Sequence, residues 1–117
     1  MRYFKISEFD SPDVKGSGDR MNKGTLSMLD ECRDIAGIPF VINSGFRTIE
    51  HNKKARGVKG SSHTKGYAVD IRCNNSQDRY KIIKAAIKAG FNRIGVSGNF
   101  IHLDNDPEKV SNVIWTY

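Results

Sequence analysis

The stretch Ser61-Ser62-His63-Thr64-Lys65-Gly66-Tyr67-Ala68-Val69-Asp70-Ile71-Arg72 opens on small hydroxyl residues and a histidine, passes a glycine, and becomes a short apolar strand with a carboxylate at its centre. Strand alternation puts Ala68, Asp70 and Arg72 on one face and Tyr67, Val69 and Ile71 on the other. The second face is core. The first holds a carboxylate within a sheet, where an unpaired charge is expensive, so Asp70 needs a cation nearby: an arginine or a metal. An ion pair with Arg72, Arg93 or another base is the plain structural solution.

A second strand, Phe100-Ile101-His102-Leu103-Asp104, repeats the pattern, with Ile101 and Leu103 toward the core and Phe100, His102 and Asp104 alternating onto the opposite face. A lone histidine there is commonly a hydrogen-bonded structural residue. Here Asp104 lies beside His102, placed either to orient the imidazole or to act as a base. Two histidines with one carboxylate, His63, Asp70 and His102, also form a familiar catalytic zinc set with a fourth position open to water.

The rest of the chain fits one small domain spanning residues 1–117 around these strands. At 117 residues, 38% apolar and 27% charged, it can bury a single core. No run of about 18 apolar residues exists to cross a membrane, so no membrane insertion is expected. The N-terminal residues, broken by Lys5, Glu8 and Asp10, lack a signal-peptide core. Synthesis in the cytoplasm is the expectation, and a monomer. The two cysteines, Cys32 and Cys73, make no CxxC pair and read as buried thiols. The net charge of +6 gathers in part at Lys53, Lys54, Arg56, Lys59 and Lys65. That charge suits an anionic partner, nucleic acid or bacterial cell wall, or simply a solvated loop. No aromatic residues interleave with it as a nucleic-acid binder would require, and no nucleic acid is expected as partner.

Along the chain, turn signals suggest that the first twenty residues wrap the body as loop with short ordered pieces. Leu26, Leu29, Cys32, Ile35 and Ala36 recur at helical spacing from about Thr25, with Gly37 as the stop. A buried strand runs from Phe40 to about Asn43, and a short polar helix follows Thr48 to about Ala55. Ser76 is expected to cap a helix with Tyr80, Ile83, Ala86 and Ile87 on one face, ended by Gly90. Gly98-Asn99 reads as a hairpin turn between Arg93–Ser97 and Phe100–Asp104. Pro107 is expected to start a last short helix with Val110 and Ile114 on one side. The predicted class is α+β, a small, mostly antiparallel sheet packed against two main helices.

Three blocks together resemble a known family. Ser61-Ser62-His63-Thr64-Lys65-Gly66-Tyr67-Ala68-Val69-Asp70 looks like the zinc-binding block SxHxxGxAxD of the D-Ala-D-Ala carboxypeptidase-type metallopeptidases. Ser44-Gly45-Phe46-Arg47-Thr48 resembles their SGYR(S/T) segment, and Phe100–Asp104 their second histidine strand. The blocks come in the family's order and look most like the short peptidase domains of phage lysins and small bacterial cell-wall proteins. The resemblance implies the hedgehog/DD-peptidase type of fold, with Zn2+ held by His63, Asp70 and His102. It also implies that Arg47 faces the substrate, that Ser62 lines the site, and that Gly66 turns the chain into the strand. The substrate it implies is the peptide stem of bacterial peptidoglycan, reached at the wall after lysis or assisted export.

One position departs from the pattern. Many relatives place an acidic general base three residues before the last histidine, where this chain has Asn99. Asp104 is expected to take that role, with Glu50 as the other carboxylate able to reach in. Otherwise Asp104 only orients His102, and the domain is a catalytically weak or inactive zinc module that recognises cell wall or a protein partner, as hedgehog domains of similar fold suggest. A basic nucleic-acid binder is the remaining reading.

Overall fold

The computed structural model describes residues 1–117. It builds them into α1 (Lys23–Ala36), β1 (Ile42–Ser44), α2 (Ile49–Lys54), β2 (Ala68–Arg72), α3 (Ser76–Ala89), β3 (Arg93–Val96), β4 (Phe100–Asp104) and β5 (Val113–Thr116). The strands form one five-stranded sheet in the order β1-β2-β4-β3-β5. The pairings of β1 with β2, β2 with β4 and β3 with β4 are antiparallel, and β3 with β5 is parallel. This is the α+β class expected.

The apolar strand face forms one core with the two long helices. Val69, Ile71, Ile94, Ile101 and Leu103 pack there with Leu26, Leu29 and Cys32 of α1 and Ile82, Ala85 and Ala86 of α3. Both helices are closed at both ends. Asn22 accepts from the Thr25 N–H and Asn75 from the Asp78 N–H, while Gly37 and Gly90 take left-handed conformations after the last turns. The cap of α3 is therefore Asn75, one residue earlier than Ser76. Its inner face is also rotated from the expected one, for Tyr80 and Ile87 are exposed.

The first twenty residues wrap the body as two 3-10 turns, Ile6–Phe9 and Ser17–Arg20. Phe4, Phe9 and Met21 plug into the core. Buried Asp30 of α1 ties the start of the chain down by accepting from the Arg2 and Tyr3 N–H groups and from the Arg2 side chain.

Two elements differ from the sequence expectation. The first strand lies at Ile42–Ser44, and Phe40 is a buried loop residue before it. After Pro107 the chain makes turns, then a strand rather than a helix, because Val113–Thr116 find parallel backbone partners along Arg93–Val96. Val110 and Ile114 are both exposed, so no apolar helix face forms there.

Candidate metal centre

The sheet face opposite the helices carries a row of residues in direct cross-strand register: Ser44, Asp70, His102, Gly95 and Trp115, one from each strand. Asp70 and His102 are partners on β2 and β4, with Asp70 Oδ1 2.9 Å from His102 Nδ1. The alternation seen in the sequence therefore holds on both strands.

His63 reaches the row from the 3-10 turn Ser62–Lys65 that precedes β2. Ser61 caps that turn by accepting from the His63 N–H, and Gly66 closes it at φ 80°. A side chain at position 66 would stand 2.5 Å from the Arg20 carbonyl oxygen, so glycine is required there by space as well as by φ. His63 Nδ1 lies 2.8 Å from the carbonyl oxygen of Gly45. A carbonyl can only accept, so Nδ1 carries the ring proton and Nε2 presents a lone pair, 3.3 Å from Asp70 Oδ1. Gly45 is a glycine for a separate reason: a Cβ there would sit 2.8 Å from Phe9 Cα.

His102 is held from its other side. Its Nε2 lies 2.6 Å from Asp104 Oδ2, so the ring can donate to Asp104 while Nδ1 turns toward Asp70. The ligand atoms of His63, Asp70 and His102 all fall within 4.8 Å of one another. Two imidazole lone pairs and a carboxylate oxygen thus converge with nothing between them that can donate, once each ring has given its proton to its outer partner. Such a set can hold a cation. Ligand atoms around a tetrahedral zinc stand roughly 3.3 Å apart, close to the spacings found. The donor set fits zinc, with outer-sphere partners that fix each ring.

The protonation of these groups follows from the same contacts. Burial pushes the Asp70 carboxyl up, but the His102 and His63 rings beside it outweigh burial whenever they carry a proton toward it, and hold the group well below the usual carboxylate range in the metal-free site. Burial lowers His102, while Asp104 and Asp70 more than offset it, so a ring without metal is drawn toward imidazolium. Asp104 is held low despite burial by His102, the Asp106 N–H and Arg93. Both of its oxygens are engaged: Oδ2 by His102, and Oδ1 by the Asp106 N–H at 3.1 Å and by Arg93 Nε at 2.9 Å. The Arg93 contact is an ion pair lacking hydrogen-bond alignment. Asp104 is 1% exposed.

A pocket of about 360 Å³ opens over the row. Arg47 lines it, with Nε donating to Ser44 Oγ at 2.9 Å, Nη1 to Asn52 Oδ1 at 3.3 Å and Nη2 to Asp70 Oδ2 at 3.5 Å. The serine of the Ser44–Thr48 segment therefore aims the arginine three residues later. Ser62 also borders the pocket, but it is buried and its hydroxyl donates to Asp106. Asn99 lies exposed in the β3–β4 turn and Glu50 is exposed on α2; neither lines the pocket. The only carboxylates that do are Asp70 and Asp104.

Several lining residues escaped the sequence reading. Trp115 lies 5.4 Å from the His102 ring, and Arg93 stands over its indole at 5.1 Å. Tyr117 packs on Phe100 at 5.0 Å. The only sequence signal for Trp115 was Gly95, where a Cβ would come within 2.8 Å of the indole. Asn52 gave no signal at all, since its role depends on α2 folding back over Arg47. Cys32 and Cys73 are buried free thiols away from the pocket, and burial pushes the Cys32 thiol up to about 12. No helix is long and apolar enough to cross a membrane.

The model of the peptidase M15 family matches residues 3–104, a span that contains His63, Asp70, His102 and Asp104 and stops short of β5. No curated protein matches the chain.

Proposed function

The chain belongs to the peptidase M15 family, metallopeptidases that are typically zinc-dependent, and from that premise we propose that it hydrolyses the peptide stem of bacterial peptidoglycan. The observation that carries the reading is the convergence of His63 Nε2, Asp70 Oδ1 and His102 Nδ1 at 3.3 and 2.9 Å, with Arg47 at its edge. In this reading those three side chains hold the zinc. Bound there, zinc would supply Lewis acidity, lowering the pKa of a water toward neutrality and polarising a substrate carbonyl.

The chain's own residues do the rest. Gly45 and Asp104 fix the tautomers of the two rings, so their lone pairs stay aimed without side-chain reorganisation. Arg47, anchored by Ser44 and Asn52, presents a planar charged fork to a substrate carboxylate or to the carbonyl oxygen as negative charge develops. Trp115, Tyr117 and Phe100 form an aromatic wall on one side of the pocket. We assign Asp104 to orienting His102, because both of its oxygens are already engaged. Ser62 serves the turn that carries His63 rather than the substrate. The wall itself is the expected place of action, reached after lysis or assisted export, with the exposed cations Lys53, Lys54, Arg56 and Lys59 facing an anionic polymer.

The absence of a further pocket carboxylate favours a second reading, a zinc module that binds wall or a protein partner and cleaves weakly or not at all. One experiment separates the two: zinc analysis of purified protein, then digestion of purified peptidoglycan with and without chelator. Chelator-sensitive release of peptide fragments supports the peptidase. Bound zinc and wall binding without release supports the module. Protein that takes up no zinc overturns both.

A further inference from the structure

His102 and Asp70 are spaced by the sheet, but His63 comes from a turn, and something must fix that turn against the strands. Asp106 is placed to do so. It is 1% exposed, two residues beyond Asp104, and in the stretch after the family match ends. Its Oδ2 accepts from Ser62 Oγ at 2.7 Å and pairs with Lys65 Nζ at 3.0 Å, the two ends of the turn that carries His63. Its Oδ1 accepts from the Glu108 N–H at 3.0 Å. Its own N–H donates to Asp104 Oδ1 at 3.1 Å, and Asp104 Oδ2 holds His102 Nε2. One residue thus grips the immediate neighbour of one histidine and the orienting partner of the other.

Resting on the zinc reading, we propose that Asp106 is a positioning residue that couples the two histidine ligands and sets the separation of His63 from His102. The alternative jobs for a buried acid are poorly served here. Asp106 does not face the pocket, and its ion pair with Lys65 and its bond from Ser62 converge on the one turn that carries His63. Burial alone pushes its carboxyl up, yet the Ser62 hydroxyl, the Glu108 N–H and Lys65 keep it ionised. A charge so fully paired locks its surroundings into one geometry. For a metal site the consequence is affinity, since partners beyond the ligands typically change it 10- to 100-fold.

The test is competitive zinc titration, with the visible spectrum of the cobalt-substituted protein as a second readout. The variants are Asp106→Ala, Asp106→Asn and Ser62→Ala. Asp30→Ala serves as the control, a buried acid that clamps the N-terminus and makes no contact with the site. Asp106→Ala is expected to weaken zinc binding at least tenfold and to shift the cobalt bands. Asp106→Asn, which keeps an acceptor for Ser62, is expected to recover part of the loss. Ser62→Ala removes a single bond, so it decides the matter if Asp106→Ala does not fold. Zinc affinity within twofold of the parent in the folded Asp106 or Ser62 variants overturns the inference, as does an equal loss in Asp30→Ala. A parent protein that binds no zinc removes the premise itself, a result distinct from either.

Discussion

Asp70 and His102 face each other across the β2–β4 ladder, with Oδ1 2.9 Å from Nδ1, and it is the backbone register of the sheet that sets their approach. Side chains that leave adjacent strands at paired positions have Cβ atoms roughly 5 Å apart whatever their identity. Two of the three candidate ligands are therefore held before any metal arrives, and only His63 depends on a turn.

Removing a ligand should be decisive. His63→Ala and His102→Ala are each expected to lose stoichiometric zinc, because three protein ligands leave no redundancy. Zinc measured after dialysis checks this. Either variant retaining one zinc per chain would falsify the ligand set.

Asp104→Asn distinguishes an orienting group from a base. The amide keeps the shape but no longer stabilises the His102 ring, so zinc affinity should fall about 10- to 100-fold. At saturating zinc, activity should largely return. A base would instead show unchanged affinity and a kcat loss that zinc cannot rescue.

The metal-free protein should have a stability that depends on pH through His102. Its pKa is raised in the fold, above the roughly 6.5 of an unfolded histidine. The stabilisation is then fully present below the unfolded value and is lost as pH rises through the folded one. Zinc binding runs the other way, since the ring must shed its Nδ1 proton, so affinity should climb over the same interval. Thermal denaturation with and without zinc from pH 5 to 9 should show these opposite slopes. Parallel slopes would count against His102 as a ligand.

Gly95→Ala probes the wall. The added methyl would stand 2.8 Å from the Trp115 indole, closer than contact allows. The ring must move or the strands must part, at a cost of about 1–3 kcal/mol. A lower melting temperature with a changed tryptophan emission is expected; Trp115 is the sole tryptophan, so the signal is unambiguous. Unchanged emission would place the indole elsewhere.

Arg47→Lys should keep zinc but lose roughly 10²-fold in kcat, the scale of removing one donor to a developing oxyanion. Lysine can neither reproduce the fork nor accept the same aim from Ser44 and Asn52. Full activity in this variant would remove Arg47 from the mechanism.

Local alternation carried much of the site into view. Val69 and Ile71 enclose Asp70, and Ile101 and Leu103 enclose His102, so the period of two alone marks which face each belongs to. What stayed hidden depends on distant partners. Val113–Thr116 is a strand because β3 offers its free edge, and nothing in the segment after Pro107 announces that pairing. The apolar side of α3 turned on whether Ile82 or Ile83 meets α1, a choice made by packing and not by spacing. Arg93, weighed in the sequence as a partner for Asp70, sits opposite Asp104 on the neighbouring strand and pairs there instead. Asp104 reads in the sequence as the favoured base, and the engagement of its two oxygens, which supports the orienting role instead, depends on Arg93 and the Asp106 N–H.

The parallel strand β5 has a consequence for how the protein can change. The candidate metal ligands and Arg47 lie between residues 44 and 104, whereas Trp115 arrives on β5 at the sheet's edge, with Tyr117 just beyond that strand. The candidate ligands and most of the aromatic wall are thus carried by different lengths of chain, Phe100 alone of the wall lying on the strand of His102. On the proposed reading, substitutions in the last few residues would retune what enters the pocket while the candidate ligands are left alone, so preference and chemistry would be free to diverge at different rates.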